Sequence, residues 1–363
     1  MATLTNVTIN DTGFAQLPTG STAQRPASPV VGMIRFNTDT RVVECYTTAG
    51  WQAYDDQQTA TGGTISSAGG YTIHTFTSSG TFTPTYTGPM DVLVIAGGGS
   101  GAAGIGGGGG AGGTIYAQGM MATAGTAYPI TVGTGGPSPG PGHGPSGTQG
   151  NPSIALGITS TGGGAGSGYY ATHLGSPTLG GSGGGGSGYG QPSGPWGGNS
   201  GIRPAPPGIS GQGFPGGYGV HWPGTPAGTH YGGGGGGGAG EPGYNKVGNW
   251  PTSQYDDGPS LWVATGNKGT LAGSASGGNG LVSSISGTAT HYAGGGGGGN
   301  HGSYGWYVNR GGLGGGGYAT GAGPSTGTNA TYYGGGGGGG SHPDPSPGGT
   351  GYQGIVIIRY KQS

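Results

Sequence analysis

The chain has 363 residues, of which 105 are glycine and 27 proline, while charged residues make up 5% and the formal net charge is −1. So little charge excludes the basic footprint of a nucleic-acid or anionic-membrane binder and argues against disorder driven by charge repulsion. A hydrophobic content of 30% is too small for one conventional core along the whole length, so backbone packing has to replace much of the side-chain packing.

Residues 1–60 differ in composition from the rest. Val7 and Ile9 alternate with polar residues, and Leu17-Pro18-Thr19-Gly20 is a turn. Residues 32–40 read as a strand entering a turn, 41–46 as a second strand, and Trp51 marks a short third one. This is a small antiparallel β module for attachment or oligomerisation, too small to be very stable alone. Cys45 is the single cysteine, which leaves no intramolecular disulfide framework and no cysteine metal cluster. The opening residues Met1 to Asn6 lack the basic and apolar regions of a signal peptide.

Residues 61–363 form the second predicted domain. Gln57 to Gly70 reads as a linker, after which 71–77 and 80–84 alternate with period two. Asp91-Val92-Leu93-Val94-Ile95-Ala96 and Gly354-Ile355-Val356-Ile357-Ile358-Arg359-Tyr360 are short apolar runs, best read as buried strands. They bracket the glycine-rich region and are expected to lie close together in one small sheet at its base. Residues 128–133 and 154–156 are expected to add to that sheet. Neither apolar run is long enough to cross a bilayer, so membrane insertion is not expected.

Three long glycine runs follow one signature, a hydroxyl residue and an aromatic pair. Thr229-His230-Tyr231 precedes glycines 232–238, Thr290-His291-Tyr292-Ala293 precedes 294–299, and Thr331-Tyr332-Tyr333 precedes 334–340. The bland reading is flexible linker. An ordered run must offset roughly 1–2 kcal/mol of backbone entropy per residue. A helix is excluded, because each glycine costs about 1 kcal/mol relative to alanine there, and a strand gains nothing from a missing side chain. The remaining regular state is the extended left-handed helix of three residues per turn, whose N–H and C=O groups all point outward to neighbours. Collagen would need glycine at every third position, and these runs are uninterrupted. The reading is therefore a bundle of polyglycine-II helices carried by Gly232, Gly235, Gly238, Gly294, Gly297, Gly334, Gly337 and Gly340, in a fold that is mostly β and irregular with almost no α-helix. His230 and His291, at equivalent repeat positions, are expected to cap the glycine helices.

No constellation for chemistry emerges. Gly99-Ser100-Gly101-Ala102-Ala103-Gly104 after an apolar strand fits G-x-G-x-x-G, but the next segment is mostly glycine and cannot be the helix that would hold a pyrophosphate. Asp55-Asp56 and Asp256-Asp257 are adjacent pairs that point apart in extended chain, unlike the facing carboxylates of a glycosidase. The eight histidines form no H-x-H or H-x-x-x-H pair. The expectation is a non-catalytic protein with no cofactor and no metal. What remains are long aromatic loops, with Trp196, Trp222, Trp250, Trp262, Tyr304 and Trp306 as candidate contact residues, since exposed Trp and Tyr stack on sugars and anchor interfaces.

From these residues the chain resembles the glycine-rich domain of many bacteriophage tail-fibre and adhesin proteins. The segments that carry the likeness are Tyr71 to Phe82, Val92-Leu93-Val94-Ile95-Ala96-Gly97-Gly98-Gly99, Gly280 to Gly287 and the closing Gly354 to Tyr360. The start, Leu17 to Pro26 with Gly32 to Thr40, is similar to a module common in phage structural proteins. The resemblance implies a polyglycine-II tip whose variable loops contact a receptor, either a host cell-surface glycan or an outer-membrane protein. It also implies other phage tail or fibre proteins as partners, a homotrimer, synthesis in the host cytoplasm and a place in the virion tail fibre. It supplies no specific contact residues, because the loops are the variable part. The alternatives are a virion decoration protein without receptor binding and an ice- or surface-binding polyglycine protein, which would need flat, regular Thr/Ala faces.

Overall fold

The computed structural model describes residues 16–54, 59–142, 145–168, 178–188, 201–203, 207–225, 228–246, 275–301, 308–319, 326–342 and 346–362; at 53–54, 201–203 and 221–231 the backbone alone is described. Val7 and Ile9, Asp55-Asp56 and Asp256-Asp257 lie outside these residues. The chain divides into two compact units, Met1–Gln58 and Thr59–Gln362. The 3-10 turn Thr22–Gln24 is the one helical element among the described residues.

Unit one is a four-stranded sheet of β1 (Thr19–Gly20), β2 (Ile34–Asn37), β3 (Val42–Thr47) and β4 (Gly50–Tyr54). Strands β2, β3 and β4 are joined antiparallel, and β1 adds in parallel beside β2. Its centre is ionic. Glu44, 2% exposed, meets Arg25 at 2.6 Å and Arg35 at 3.3 Å, and Asn37 Nδ2 donates to it at 3.0 Å. The hydrogen bond from Arg25 holds the Glu44 carboxyl below its ordinary range. Both guanidinium groups lie over the Trp51 ring, at 5.8 and 6.0 Å. The apolar Val30, Val31, Met33 and Ile34 are exposed instead.

Unit two opens with β5 (Ala60–Thr61), β6 (Thr64–Ala68), β7 (Tyr71–Phe76), β8 (Gly80–Pro84), β9 (Gly88–Ile95), β10 (Thr114–Ala122) and β11 (Tyr128–Ile130). Short hairpins follow: β12 (Ser153–Ala155) with β13 (Ile158–Ser160), then β14 (Gly201–Arg203), β15 (Gly219–Thr225) and β16 (Gly228–Gly232), then β17 (Leu281–Ser283) with β18 (Thr290–Tyr292). The last strand is β19 (Ile355–Lys361). A five-stranded sheet in the order β10-β9-β19-β7-β6 forms the base. The two apolar runs pair in it antiparallel, with Ile355 opposite Ile95 and Arg359 opposite Asp91.

Those runs are continuously apolar because the sheet is buried on both faces. Val92, Val94, Val356, Ile358 and Tyr360 pack against Phe82, Ile130 and Ala155. Leu93, Ile95, Ile355 and Ile357 face the other way, onto Ala111, Ile285, Tyr292 and Ala293. Residues 128–133 and 154–156 do not join the large sheet. β11 pairs with β8 and β12 with β13, and an isolated bridge links Thr131 to Ile154. They form a second layer over the first face, because short alternating strands fix which side is apolar but not which edge they pair with.

His74 is fully buried in that layer. A carbonyl can only accept, so Nδ1–H donates to Gly62 O at 2.7 Å, and Nε2 accepts from the Tyr360 hydroxyl at 3.2 Å. The ring meets Phe82 edge-on at 5.2 Å. Burial pushes its pKa below the ordinary value of 6.5. The unfolded chain therefore takes up the proton first as pH falls, and the unfolded state gains. Stability is full above about pH 6.5 and declines below it until the lowered folded value is reached. Melting temperature measured between pH 7.5 and pH 5 is expected to fall on the acid side, and His74→Gln to flatten that part of the profile.

The glycine runs are threefold rods packed hexagonally. The run 106–113 is the central one, and its N–H groups follow a period of three. Gly107, Gly110 and Gly113 donate to Ser167, Gly164 and Thr161; Gly108 and Ala111 donate to Gly234 and Gly237; Gly106, Gly109 and Gly112 donate to Gly340, Gly337 and Gly334. Its carbonyls serve three more segments. They accept from Ala102, Gly99 and Ala96, from Gly185 and Ser182, and from Gly299 and Gly296. Partner numbers fall by three along five neighbours and rise by three along 232–238, so one neighbour of six is parallel. Groups radiating in three directions per turn are the signature of this helix. None of 106–113, 233–238, 294–299 and 335–340 lies at positive φ.

Two expected rod residues fall outside the regular geometry. Gly232 belongs to β16, and Gly334 has φ 74°, turning the chain into the rod after Tyr333. A methyl on Gly334 would press on Ile95 and Ala293. Gly235, Gly238, Gly294, Gly297, Gly337 and Gly340 donate to Tyr244, Glu241, Gly314, Gly317, Gly99 and Ala102. His291 does not cap a rod. It is exposed on β18 while Tyr292 is buried, as the two-residue period of a strand requires. Tyr292 instead begins an aromatic series across the rod entrances, with Tyr292 to Tyr332 at 5.6 Å, Tyr332 to Tyr333 at 4.9 Å and Tyr333 to Tyr352 at 5.6 Å. The His230 side chain lies outside the described residues.

Candidate binding end of the glycine bundle

Rod direction decides where the connections lie. Residues 96–102 continue from β9 and lead away from the sheet, and 105–113 return to β10. Hydrogen-bond register orders the others against these. The segments 180–188, 241–246, 294–299 and 334–340 lead away, and 232–238, 275–280 and 349–354 return. Gly188, Lys246, Ala275, Asn300 and Ser341 therefore gather at the end remote from the sheet. Rods of six or seven residues separate that end from the base by about 20 Å at ~3.1 Å per residue.

Trp196, Trp250, Trp262, Tyr304 and Trp306 lie outside the described residues. The described residues that flank them are at the remote end: Gly188 precedes Trp196, Lys246 and Ala275 flank Trp250 and Trp262, and His301 and Val308 flank Tyr304 and Trp306. Trp222 is placed by backbone alone, in β15 opposite His230 of β16. β14 pairs on the other side of β15, so this end carries a three-stranded sheet. The topology thus brings Trp222 and the described residues that flank the other five aromatics to one end.

The described floor of this end is polar. Lys246 Nζ donates to Asn300 Oδ1 at 2.7 Å, and Asn309 Nδ2 donates to the same oxygen at 3.0 Å. The Asn300 N–H donates to Ser341 Oγ at 3.1 Å, and its carbonyl accepts from His342 N–H at 2.9 Å. The His301 and His342 rings stack at 4.3 Å. Burial pushes the Lys246 ammonium down to about 8. This cluster carries no signal in the sequence, because its members are neutral or singly charged and up to 96 positions apart, from Lys246 to His342. Among the described residues no group of three or more His, Cys, Asp or Glu lies together.

The G-x-G-x-x-G stretch is interior rod. Gly99 donates to Gly110 and Gly101 to Gly349, and residues 97–104 are buried without a helix after them. Residues 77–361 match the family described as a glycine-rich domain. No curated protein matches the chain.

Proposed function

The chain belongs to the glycine-rich domain family, and from that premise we propose that it is a non-catalytic bacteriophage tail-fibre tip protein that binds the surface of the bacterial host. The observation that carries this reading is that the described residues from which the tryptophan-bearing connections of unit two leave their rods lie at the one end opposite the base sheet. Rods held by lateral hydrogen bonds form a stiff platform, and loops anchored on a stiff platform lose less freedom on binding. The partner is a cell-surface glycan or an outer-membrane protein, met through stacking and hot-spot contacts of Trp196, Trp222, Trp250, Trp262, Tyr304 and Trp306.

Unit one attaches the chain to other tail proteins as a homotrimer. Its exposed Val30, Val31, Met33 and Ile34 favour association, because an ionic centre leaves its apolar surface outward. Several copies on one virion add avidity. The protein is made in the host cytoplasm and works on the released particle.

The test is adsorption of phage carrying Trp196→Ala, Trp222→Ala, Trp250→Ala, Trp262→Ala or Trp306→Ala. At least one substitution is expected to lower adsorption by tenfold or more, the scale of a hot-spot residue losing about 2 kcal/mol. Unchanged adsorption in all five variants would remove the loops as the contact surface and favour a decoration protein whose loops meet other virion proteins.

A further inference from the structure

Lys246 and Asn300 end two outgoing segments side by side, 54 positions apart in sequence. Both are held from several directions. The Lys246 N–H donates to the Tyr218 carbonyl at 2.9 Å, and the side-chain stem lies over Gly232, where the lack of a Cβ leaves room for it. Asn300 is 6% exposed. Its backbone is fixed by Ser341 and His342 and by a bridge to Gly232. Asn309, with no exposure at all, is fixed in turn. Its Nδ2 donates to the Gly298 carbonyl and its Oδ1 accepts from the Ala275 N–H at 3.3 Å.

The amine of Lys246 therefore stands at 2.7 Å from the carboxamide oxygen of Asn300, and Asn309 Nδ2 bonds that same oxygen at 3.0 Å from a second direction. A nucleophile held at a carbonyl whose oxygen has a second, fixed donor has only to turn from the oxygen to the neighbouring Cγ to begin acyl transfer. We propose that Lys246 and Asn300 join covalently through an isopeptide bond, so that the mature chain carries an internal cross-link at the remote end of the bundle.

The step balances without any co-reactant. The neutral Lys246 amine attacks Cγ of Asn300 and a C–N bond forms. The carbonyl electron pair moves onto Oδ1, where the Asn309 hydrogen bond stabilises the growing charge. A proton passes from Nζ to Nδ2, the Cγ–Nδ2 bond breaks, and its electron pair leaves with the nitrogen as ammonia. One primary amide and one amine become one secondary amide and one ammonia. Nothing is oxidised or reduced. Burial supplies the neutral amine, since an ammonium lowered to about 8 is neutral in about a tenth of molecules at pH 7.

The bond would close the loop that carries Trp250 and Trp262 and tie two outgoing segments together at their ends. Closing a loop of this length removes much of the freedom of the unfolded chain. This holds whether or not the loops bind a host surface.

Intact mass of the full chain under denaturing conditions tests the proposal. The wild-type protein is expected to be lighter than its sequence by one ammonia, and digestion to release a branched peptide joining the segments of Lys246 and Asn300. Lys246→Arg and Asn300→Ala are each expected to restore the full sequence mass and to lower the melting temperature. Asn309→Ala leaves both reacting groups in place and is expected to lower the cross-linked fraction in protein of equal age. A wild-type chain at full sequence mass overturns the proposal, and so does a deficit that persists in Lys246→Arg. Should a variant fail to fold, the presence or absence of the branched peptide in the wild-type digest still decides.

Discussion

Gly109→Ala is expected to unfold unit two. Gly109 sits in the central rod, and its added methyl would overlap the carbonyl of Gly99 and crowd Ser100. Both are backbone, so no side chain can swing aside. Relief requires moving the run 96–102 as a body. That run also bonds Asn151, Tyr352, Thr148 and Gly349, so the strain spreads into its other neighbours. Each backbone hydrogen bond lost is worth about 1 kcal/mol, and each buried donor left unpaired costs about 1–3 kcal/mol. Several broken at once reach about 5 kcal/mol or more, comparable to the whole stability of a domain at roughly 5–15 kcal/mol. Circular-dichroism melting and soluble yield read the result. Gly80→Ala is the control, because its methyl would meet the Phe76 ring at 3.6 Å, an ordinary contact. At such a compatible site alanine restricts the unfolded chain and is expected to stabilise by up to about 1 kcal/mol. Two Gly→Ala changes in one chain would then differ by several kcal/mol for a reason that lies wholly in neighbouring backbone. Equal tolerance of the two would show that the rods slide apart at little cost.

The rods themselves were legible because glycine in runs has few regular alternatives. Their neighbours were not legible. A glycine rod has no side chain to distinguish one direction from another, so nothing in glycines 232–238 announces that they run parallel to 106–113 while 334–340 run antiparallel to it. That information sits at the ends, in Ala111, Tyr292 and Ala293, which seat the rods against the base sheet. The apolar runs at 91–96 and 354–360 were readable as partners because a strand without alternation must be covered twice. The ionic centre of unit one was hidden, since Arg25, Arg35, Asn37 and Glu44 converge only when β2 and β3 pair. His291 misled because it repeats beside His230, yet strand parity turns it outward once Tyr292 turns in. Trp222 could be assigned to a loop but not to β15, whose proline and glycine obscure the strand.

The sheet between a side-chain layer and a glycine bundle leads to the second large effect. Leu93→Ala is expected to cost about 3–4 kcal/mol, the middle to upper part of the range for such truncations. Leu93 is fully buried on the face that meets Ala111, Ile285, Tyr292 and Ala293. A cavity there can close only if the rod ends move toward the sheet. The Ala111 N–H is tied to Gly237 and the Ala293 N–H to Tyr333, so those ends are held in place by lateral bonds. The cavity persists, and the lost contacts are not regained. Ile358→Ala truncates the opposite face, among Phe82, Ile130 and Tyr360, where side chains can shift inward. Its cost is expected nearer about 2 kcal/mol, because the penalty falls as the site collapses. Denaturant midpoints at unchanged slope measure both. A larger loss for Leu93→Ala follows from a bundle rigid enough to hold a void open. A smaller loss would mean that the rod ends settle onto the sheet, and rigidity would then have to come from the loops and the remote end instead.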